Sequence, residues 1–241
     1  MDMRQAQYQQ RRGQIEDYFD RTAVKAWEQL TSTAPVGRIR ATVRAGRDRM
    51  RATLLDWLPA DLHGARLMDA GCGTGALAVE AARRGAEVVA IDLSPTLVDL
   101  ARERTQAERD EVQSQCGGRI DFHAGDMLDP VHGEFDHVVC MDSIIHYGHA
   151  DVQRVLGSIV ERTRESVVFT FAPRTPLLSL MHSVGKVFPR GDRAPMIVPV
   201  GESDLYRTVR QDPRFADWTA PRTLRIQGGF YISQAMELRR R

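Results

Sequence analysis

One short stretch narrows the fold more than any other feature. In Leu67-Met68-Asp69-Ala70-Gly71-Cys72-Gly73-Thr74-Gly75 an apolar run stops at three closely spaced glycines, and a helical pattern begins at Ala76. Glycines at a strand-to-helix junction allow a tight turn and let a ligand approach the backbone. Around this turn, strand-like and helix-like patterns alternate. Residues 66–70, 87–91, 119–123, 135–141 and 167–171 read as strands, with helices over 76–84, 94–114 and near 151–164. This rhythm predicts a parallel sheet covered on both faces. Upstream, the helical spacing of Ile15, Tyr18 and Phe19, and then of Ile39, Val43, Met50, Leu54 and Leu58, predicts helices interrupted near 31–37 by Pro35 and Gly37. Downstream, five prolines in residues 173–200 surround one amphipathic stretch at 177–188. A short helix at 203–211 and strands near 223–226 and 230–238 follow. Gly228-Gly229 signals a hairpin, so the last strand is expected to run antiparallel to the rest.

The chain has 241 residues, enough for one large core. Hydrophobic residues at 42% and charged residues at 27% exclude collagen-like, coiled-coil and wholly disordered classes. No apolar run approaches the ~18 residues of a membrane span. The Gln- and Arg-rich residues 1–13 lack the apolar core of a secretory signal. The three cysteines, Cys72, Cys116 and Cys140, form no CxxC pair and no metal-ligand spacing, so a reduced, cytoplasmic chain without a metal site is expected. Charge is uneven along the chain: +4 over residues 1–60, −9 over 61–170 and +6 over 171–241. An acidic middle argues against a nucleic-acid binder, whose basic surface should dominate. The basic ends suit an anionic partner.

Three aspartates give the glycine turn a chemical direction. Asp69 precedes the turn, where it would repel a pyrophosphate but suit a cationic amino group. Asp92 ends the next strand, 21 residues after Gly71, at the spacing from which a carboxylate reaches ribose hydroxyls. Asp126, in Gly125-Asp126-Met127 after the third strand, can accept a hydrogen bond from an adenine amino group. A ribose, an adenine and a cation without phosphate describe S-adenosylmethionine. The set resembles the class I methyltransferase fold over residues 64–172, with Gly71, Cys72, Gly73, Leu93, Met127 and Met141 expected to line the cofactor beside the aspartates. Two other readings fit the glycines alone: a turn that serves only packing, and a nicotinamide site of the GxGxxA type. The fourth strand ends in Met141-Asp142-Ser143-Ile144-Ile145-His146-Tyr147, where an open α/β sheet places its reacting groups.

Beyond that general fold, the chain resembles the magnesium-protoporphyrin IX O-methyltransferase family of chlorophyll and bacteriochlorophyll biosynthesis, an attribute of photosynthesis, from Tyr18 onward. The resemblance rests on Tyr18-Phe19-Asp20 with Trp27, Arg44-Ala45-Gly46-Arg47, residues 69–75, Ile144-Ile145-His146-Tyr147, the run from Phe171 to Leu180, Phe188-Pro189, and Gly229-Phe230-Tyr231. It implies a seven-stranded Rossmann-like α/β sheet with the last strand antiparallel. An N-terminal helical cap over residues 1–60 and a methyltransferase domain over 61–241, with a helical lid at 173–201, are implied too. The implied reaction moves a methyl group from S-adenosylmethionine to one propionate of the magnesium porphyrin, the metal belonging to the substrate. Hand-over of the porphyrin by the magnesium chelatase large subunit is implied as well. In this family the histidine of Ile-His-Tyr, here His146, is an active-site residue. Chlorophyll-type members carry an active-site tyrosine where this chain has Thr31, which points to the bacteriochlorophyll branch.

A carboxylate nucleophile, with a pKa of about 4, is already ionised and needs no general base. The site must instead strip water and align one oxygen with the methyl group. His146 is then expected to orient the propionate or a bridging water, although a structural histidine fits the residue pattern as well. Tyr18 is expected either to cover the cofactor or to anchor its helix. Arg38 and Arg174, from an arginine-rich set, are the expected propionate partners, with Tyr147 and Leu177 toward the macrocycle. Basic ends suit weak peripheral contact with an anionic membrane. The rival functions are methylation of another small hydrophobic acid and a non-catalytic porphyrin carrier.

Overall fold

The computed structural model describes the backbone of residues 3–22, 37–174 and 196–241. Seven strands form one sheet: β1 (Arg66–Ala70), β2 (Glu87–Asp92), β3 (Arg119–Ala124), β4 (Phe135–Cys140), β5 (Thr163–Phe171), β6 (Trp218–Gly228) and β7 (Tyr231–Arg240). Their order is β3-β2-β1-β4-β5-β7-β6. The first five are parallel, and β7 runs antiparallel between β5 and β6. The helices are α1 (Met3–Asp17), continued by a π-helical turn at Tyr18–Thr22, then α2 (Arg38–Asp56), α3 (Ala76–Arg83), α4 (Pro95–Arg104), α5 (Gln106–Cys116), α6 (His149–Val160) and α7 (Glu202–Gln211). Among the described residues no helix is long and apolar enough to cross a membrane.

Successive strand side chains point to opposite faces, and both faces here are covered, so the central strands are apolar almost throughout. One face carries Met68, Val138, Cys140, Phe169 and Met236 against Val152, Val155 and Ile159 of α6. The other carries Leu67, Val139, Val168 and Ala235 against α3, against Met50, Leu54 and Leu55 of α2, and against Leu58 just beyond it. The apolar spacing that marks α2 in the sequence is thus the stripe it buries on the sheet.

Three boundaries differ from the sequence reading. The helix expected over 94–114 is two helices meeting at Thr105, whose hydroxyl bonds back to the Ala101 carbonyl at 2.8 Å and competes with the regular ladder. β5 starts at Thr163, not 167, because Thr163 and Ser166 turn inward while Arg164 and Glu165 face solvent. β6 starts at Trp218 and is an edge strand with one polar face, which hides its length from a hydrophobicity reading. The β6–β7 loop is the two-residue turn Gly229-Phe230, with Gly229 at φ +54°, so it has the glycine-first form that suits strand twist. The chain leaves β5 and returns as a pair: Pro173 bridges Val200, and Val198 N–H donates to the Ile145 carbonyl at 2.9 Å. Leu177, Trp27, Thr31 and the helical lid expected within 173–201 lie wholly or mainly outside the described residues.

Candidate functional site

The carboxyl ends of the parallel strands converge where strand order reverses, between β1 and β4. A crevice opens there by topology. The glycine turn forms its floor. Gly71, Gly73 and Gly75 have φ of +88°, +53° and +80°, values that L side chains adopt at a cost. Gly71 also lies so close to Ser143 that a Cβ would collide with that side chain. The amides of Gly71 and Cys72 both donate to the Ile91 carbonyl, at 2.7 and 3.0 Å, and lock the turn to β2.

Asp69 is 1% exposed and shares the sheet face of Leu67. Its carboxylate accepts from the Ala78 N–H, doing for α3 what the N-cap glycine lacks the side chain to do. Its Oδ2 is buried without a hydrogen-bond partner among the described residues, and so is the hydroxyl of Ser143 across the turn. Burial, and then the charge of Asp92, push the Asp69 carboxyl up to about 7. Asp92 accepts from Gly73 N–H at 2.9 Å and Ser94 N–H at 3.0 Å, and burial raises its pKa against those bonds. The Cys72 thiol, 8% exposed, is driven well above its ordinary range by burial and by both aspartates, so it is an inert lining group. Two neighbouring acids with unspent acceptor capacity would repel a pyrophosphate and welcome a cation. That chemistry fits the sulfonium and ammonium of S-adenosylmethionine and argues against a dinucleotide.

Asp126 stands at the third strand end. Its Oδ1 accepts from Leu128 N–H at 2.9 Å, and its Oδ2 pairs with Arg12 of α1 at 3.0 Å. Met127 and Met141 are buried at 6% and 8%, and Leu93 packs half-buried against the core. The N-terminal segment lies across these strand ends. Arg11 donates to the His146 carbonyl at 3.3 Å, and Phe19 meets the His146 ring at 5.9 Å between centroids. Asp20 accepts from Thr96 Oγ1, Thr96 N–H and Ser94 Oγ at 2.6, 3.2 and 3.1 Å, placing an acid at the positive end of α4.

His146 closes the short 3-10 turn Ile144–His146 and is 7% exposed. Tyr18 is half-buried and stacks edge-on with Phe19 at 5.3 Å. Tyr147 is 1% exposed and belongs to the hydrophobic core, so the structure turns it inward and does not set it on a cleft wall. Arg174 is 57% exposed and paired with Asp204 at 3.3 Å. Arg38 begins α2, and its side chain lies outside those described. Arg11 and Arg12 go unmarked in the sequence, while Phe19, Asp20, Arg47 and Asp142 stand there only as parts of motifs without individual roles. All of them act through contacts between distant parts of the chain, which local spacing does not reveal.

Comparison with known proteins identifies the family and the fold. A family described as "Magnesium-protoporphyrin IX methyltransferase C-terminus" matches residues 140–240, and a general methyltransferase domain matches residues 67–166. The magnesium-protoporphyrin O-methyltransferase of Rhodobacter capsulatus is 46% identical over 233 residues, covering 96% of this chain and 98% of that protein. The enzyme of the same name from Synechocystis is 28% identical, covering 92% and 94%. The crystal structure of magnesium protoporphyrin IX methyltransferase from Synechocystis with bound SAH superposes with a TM-score of 0.81 at 25% identity, over 96% of this chain and all of that one.

Proposed function

This chain belongs to the magnesium-protoporphyrin O-methyltransferase family, and on that premise we infer that it moves a methyl group from S-adenosylmethionine to a propionate of magnesium-protoporphyrin IX. The products are the monomethyl ester and S-adenosylhomocysteine. S-adenosylmethionine supplies an electrophilic methyl group on a sulfonium. Everything else falls to the chain's own residues.

The observation that carries the cofactor assignment is the Asp69 Oδ2, buried without a hydrogen-bond partner among the described residues beside a turn of three positive-φ glycines. In this reading Asp69 holds the ammonium, Asp92 the ribose hydroxyls and Asp126 the adenine amino group. Gly71, Cys72, Gly73, Leu93, Met127 and Met141 form the lining. The N-terminal segment, through Arg12 and Phe19, excludes water from above. Because the reaction joins a carboxylate to a sulfonium, charge disappears in the transition state, and a dry site favours that step. No residue need remove a proton, since the propionate is ionised at neutral pH.

His146 orients the propionate oxygen and Tyr18 shields the methyl-donor end. Arg174 and Arg38 are assigned to the second propionate, and Leu177 to the macrocycle. Tyr147 anchors the 144–146 turn from within the core. The basic ends of the chain support a salt-sensitive contact with anionic lipid at the cytoplasmic face of a membrane, and docking to the magnesium chelatase large subunit that delivers the porphyrin. The direct test is incubation of the purified chain with S-adenosylmethionine and magnesium-protoporphyrin IX, read by mass. A gain of one methylene mass unit on the porphyrin is expected. Methylation of a different hydrophobic acid in its place, or binding of the porphyrin without turnover, would overturn the assignment. His146→Ala is expected to lower turnover while S-adenosylhomocysteine still binds, and loss of that binding would refute its assigned role.

A further inference from the structure

Asp142 directly follows the cofactor-lining Met141 and is the one non-glycine with positive φ among the described residues, at +53°. Aspartate tolerates that region better than most side chains, yet holding it there requires anchors. The anchors come from three other elements. Asp142 N–H donates to Thr170 Oγ1 of β5 at 2.7 Å, and that hydroxyl donates to Asp142 Oδ1 at 3.2 Å. Tyr231 OH and Ser233 Oγ of β7 approach the carboxylate at 3.4 Å. Arg47 of α2 donates through Nη1 to Oδ2 at 2.6 Å, with the two side chains only 18% and 6% exposed.

The bend that follows sets Ser143 against Gly71 and starts the turn that ends at His146. The carboxylate therefore fixes the backbone between the cofactor turn and the substrate-orienting histidine. Its charge has the wrong sign for the task. The substrate arrives as a carboxylate, and an uncompensated negative charge four residues before the orienting histidine would repel it, because few waters screen so buried a group.

We propose that Arg47 is a positioning residue that cancels the Asp142 charge, so that this carboxylate can hold the catalytic loop in its left-handed bend without repelling the propionate. The inference rests on the methyl-transfer reading above. It also gives Arg44-Ala45-Gly46-Arg47 and Gly229-Phe230-Tyr231 a shared role, since Arg47 and Tyr231 meet on Asp142. Gly46 lets the Tyr231 ring lie on α2, where an added Cβ would stand 2.5 Å from that ring, and this close approach aims Arg47 and Tyr231 at the same carboxylate.

The test compares wild type, Arg47→Met, Arg47→Lys, Asp142→Asn and Arg47→Met/Asp142→Asn. It measures the Kd for magnesium-protoporphyrin IX by porphyrin fluorescence at low and high salt, with S-adenosylhomocysteine binding as the folding control. Arg47→Met should weaken porphyrin binding about tenfold at low salt and less at high salt. Arg47→Lys should bind like wild type, since a single Nη1 contact can be replaced by an ammonium. The double variant should recover to within about twofold of wild type. Asp142→Asn should bind the porphyrin more tightly than wild type, because Arg47 is then unopposed. A double variant as weak as Arg47→Met, a lysine variant as weak as the methionine one, or weaker binding by Asp142→Asn would overturn the proposal. Wild type that neither binds nor methylates the porphyrin would instead overturn the reading beneath it.

Discussion

Asp69 combines two demands that pull in opposite directions. Burial at the end of β1 disfavours its charge, and its carboxyl is held at about 7, yet a cationic ligand needs that charge present. Asp69→Asn keeps the acceptor for the Ala78 N–H and removes the buried acid. The variant is therefore expected to melt no lower than wild type while S-adenosylhomocysteine binding weakens about a hundredfold, read by differential scanning fluorimetry and calorimetry. The pH dependence follows from the raised pKa. In the unfolded chain this group ionises near the ordinary value of 3.8, so between that pH and about 7 the folded state holds the proton and the unfolded state does not. The Asp69 contribution to stability is thus favourable at acid pH and lost as pH rises through that window. Ligand binding has the reverse sense: the ammonium requires the ionised form, so affinity should fall as pH drops below about 7, with proton release on binding. Identical calorimetric heats in buffers of different ionisation enthalpy would contradict that release.

At the level of elements, α2 is seated by a missing side chain. Gly46→Ala would place a methyl against the Cβ and ring of the buried Tyr231 and push the helix off β7. A loss of about 1–3 kcal/mol in stability is expected, measured by denaturant unfolding, together with slower turnover because Arg47 moves with the helix. The same scale shows what the sequence made legible. β1, β2 and β4 were readable within a residue or two because buried parallel strands are apolar runs, and β3 because its edge position gives a clean alternation of Ile120 and Phe122 with polar residues. The polar Thr163-Arg164-Glu165-Ser166 start of β5 was not, because its pattern continues the preceding helix as easily as it opens a strand. Asp69, Asp92 and Asp126 stood out in the sequence because each lies at or within two residues of a strand's carboxyl end. Arg12 on Asp126 and Arg47 on Asp142 were not, since partners 114 and 95 residues apart meet only once the sheet exists.

For the whole molecule, the contacts divide into a core that folds around the sheet and a segment laid across its carboxyl end. α2 buries Met50 and Leu54 completely, whereas α1 and its π-helical continuation are joined through Ile15, Phe19, the hydrogen bonds of Arg11 and Asp20, and the partly exposed pair of Arg12 with Asp126. Partly exposed ion pairs contribute only up to about 1 kcal/mol each. Deleting residues 1–36 should therefore leave a cooperatively unfolding protein with its strand content by circular dichroism. Weaker S-adenosylhomocysteine binding is expected, because Asp20, Arg12 and Phe19 no longer cover the crevice. Loss of cooperative unfolding would show that the segment belongs to the core. The sheet order carries a consequence for manufacture of the chain. β7 is the last strand in the sequence yet lies in the interior of the sheet, between β5 and β6. A ribosome delivers this slot-filling partner only after β1 to β6 have emerged, so until then β5 presents an open edge of unpaired backbone groups, vulnerable to clumping. Nascent copies truncated before Tyr231 should be unusually dependent on chaperones.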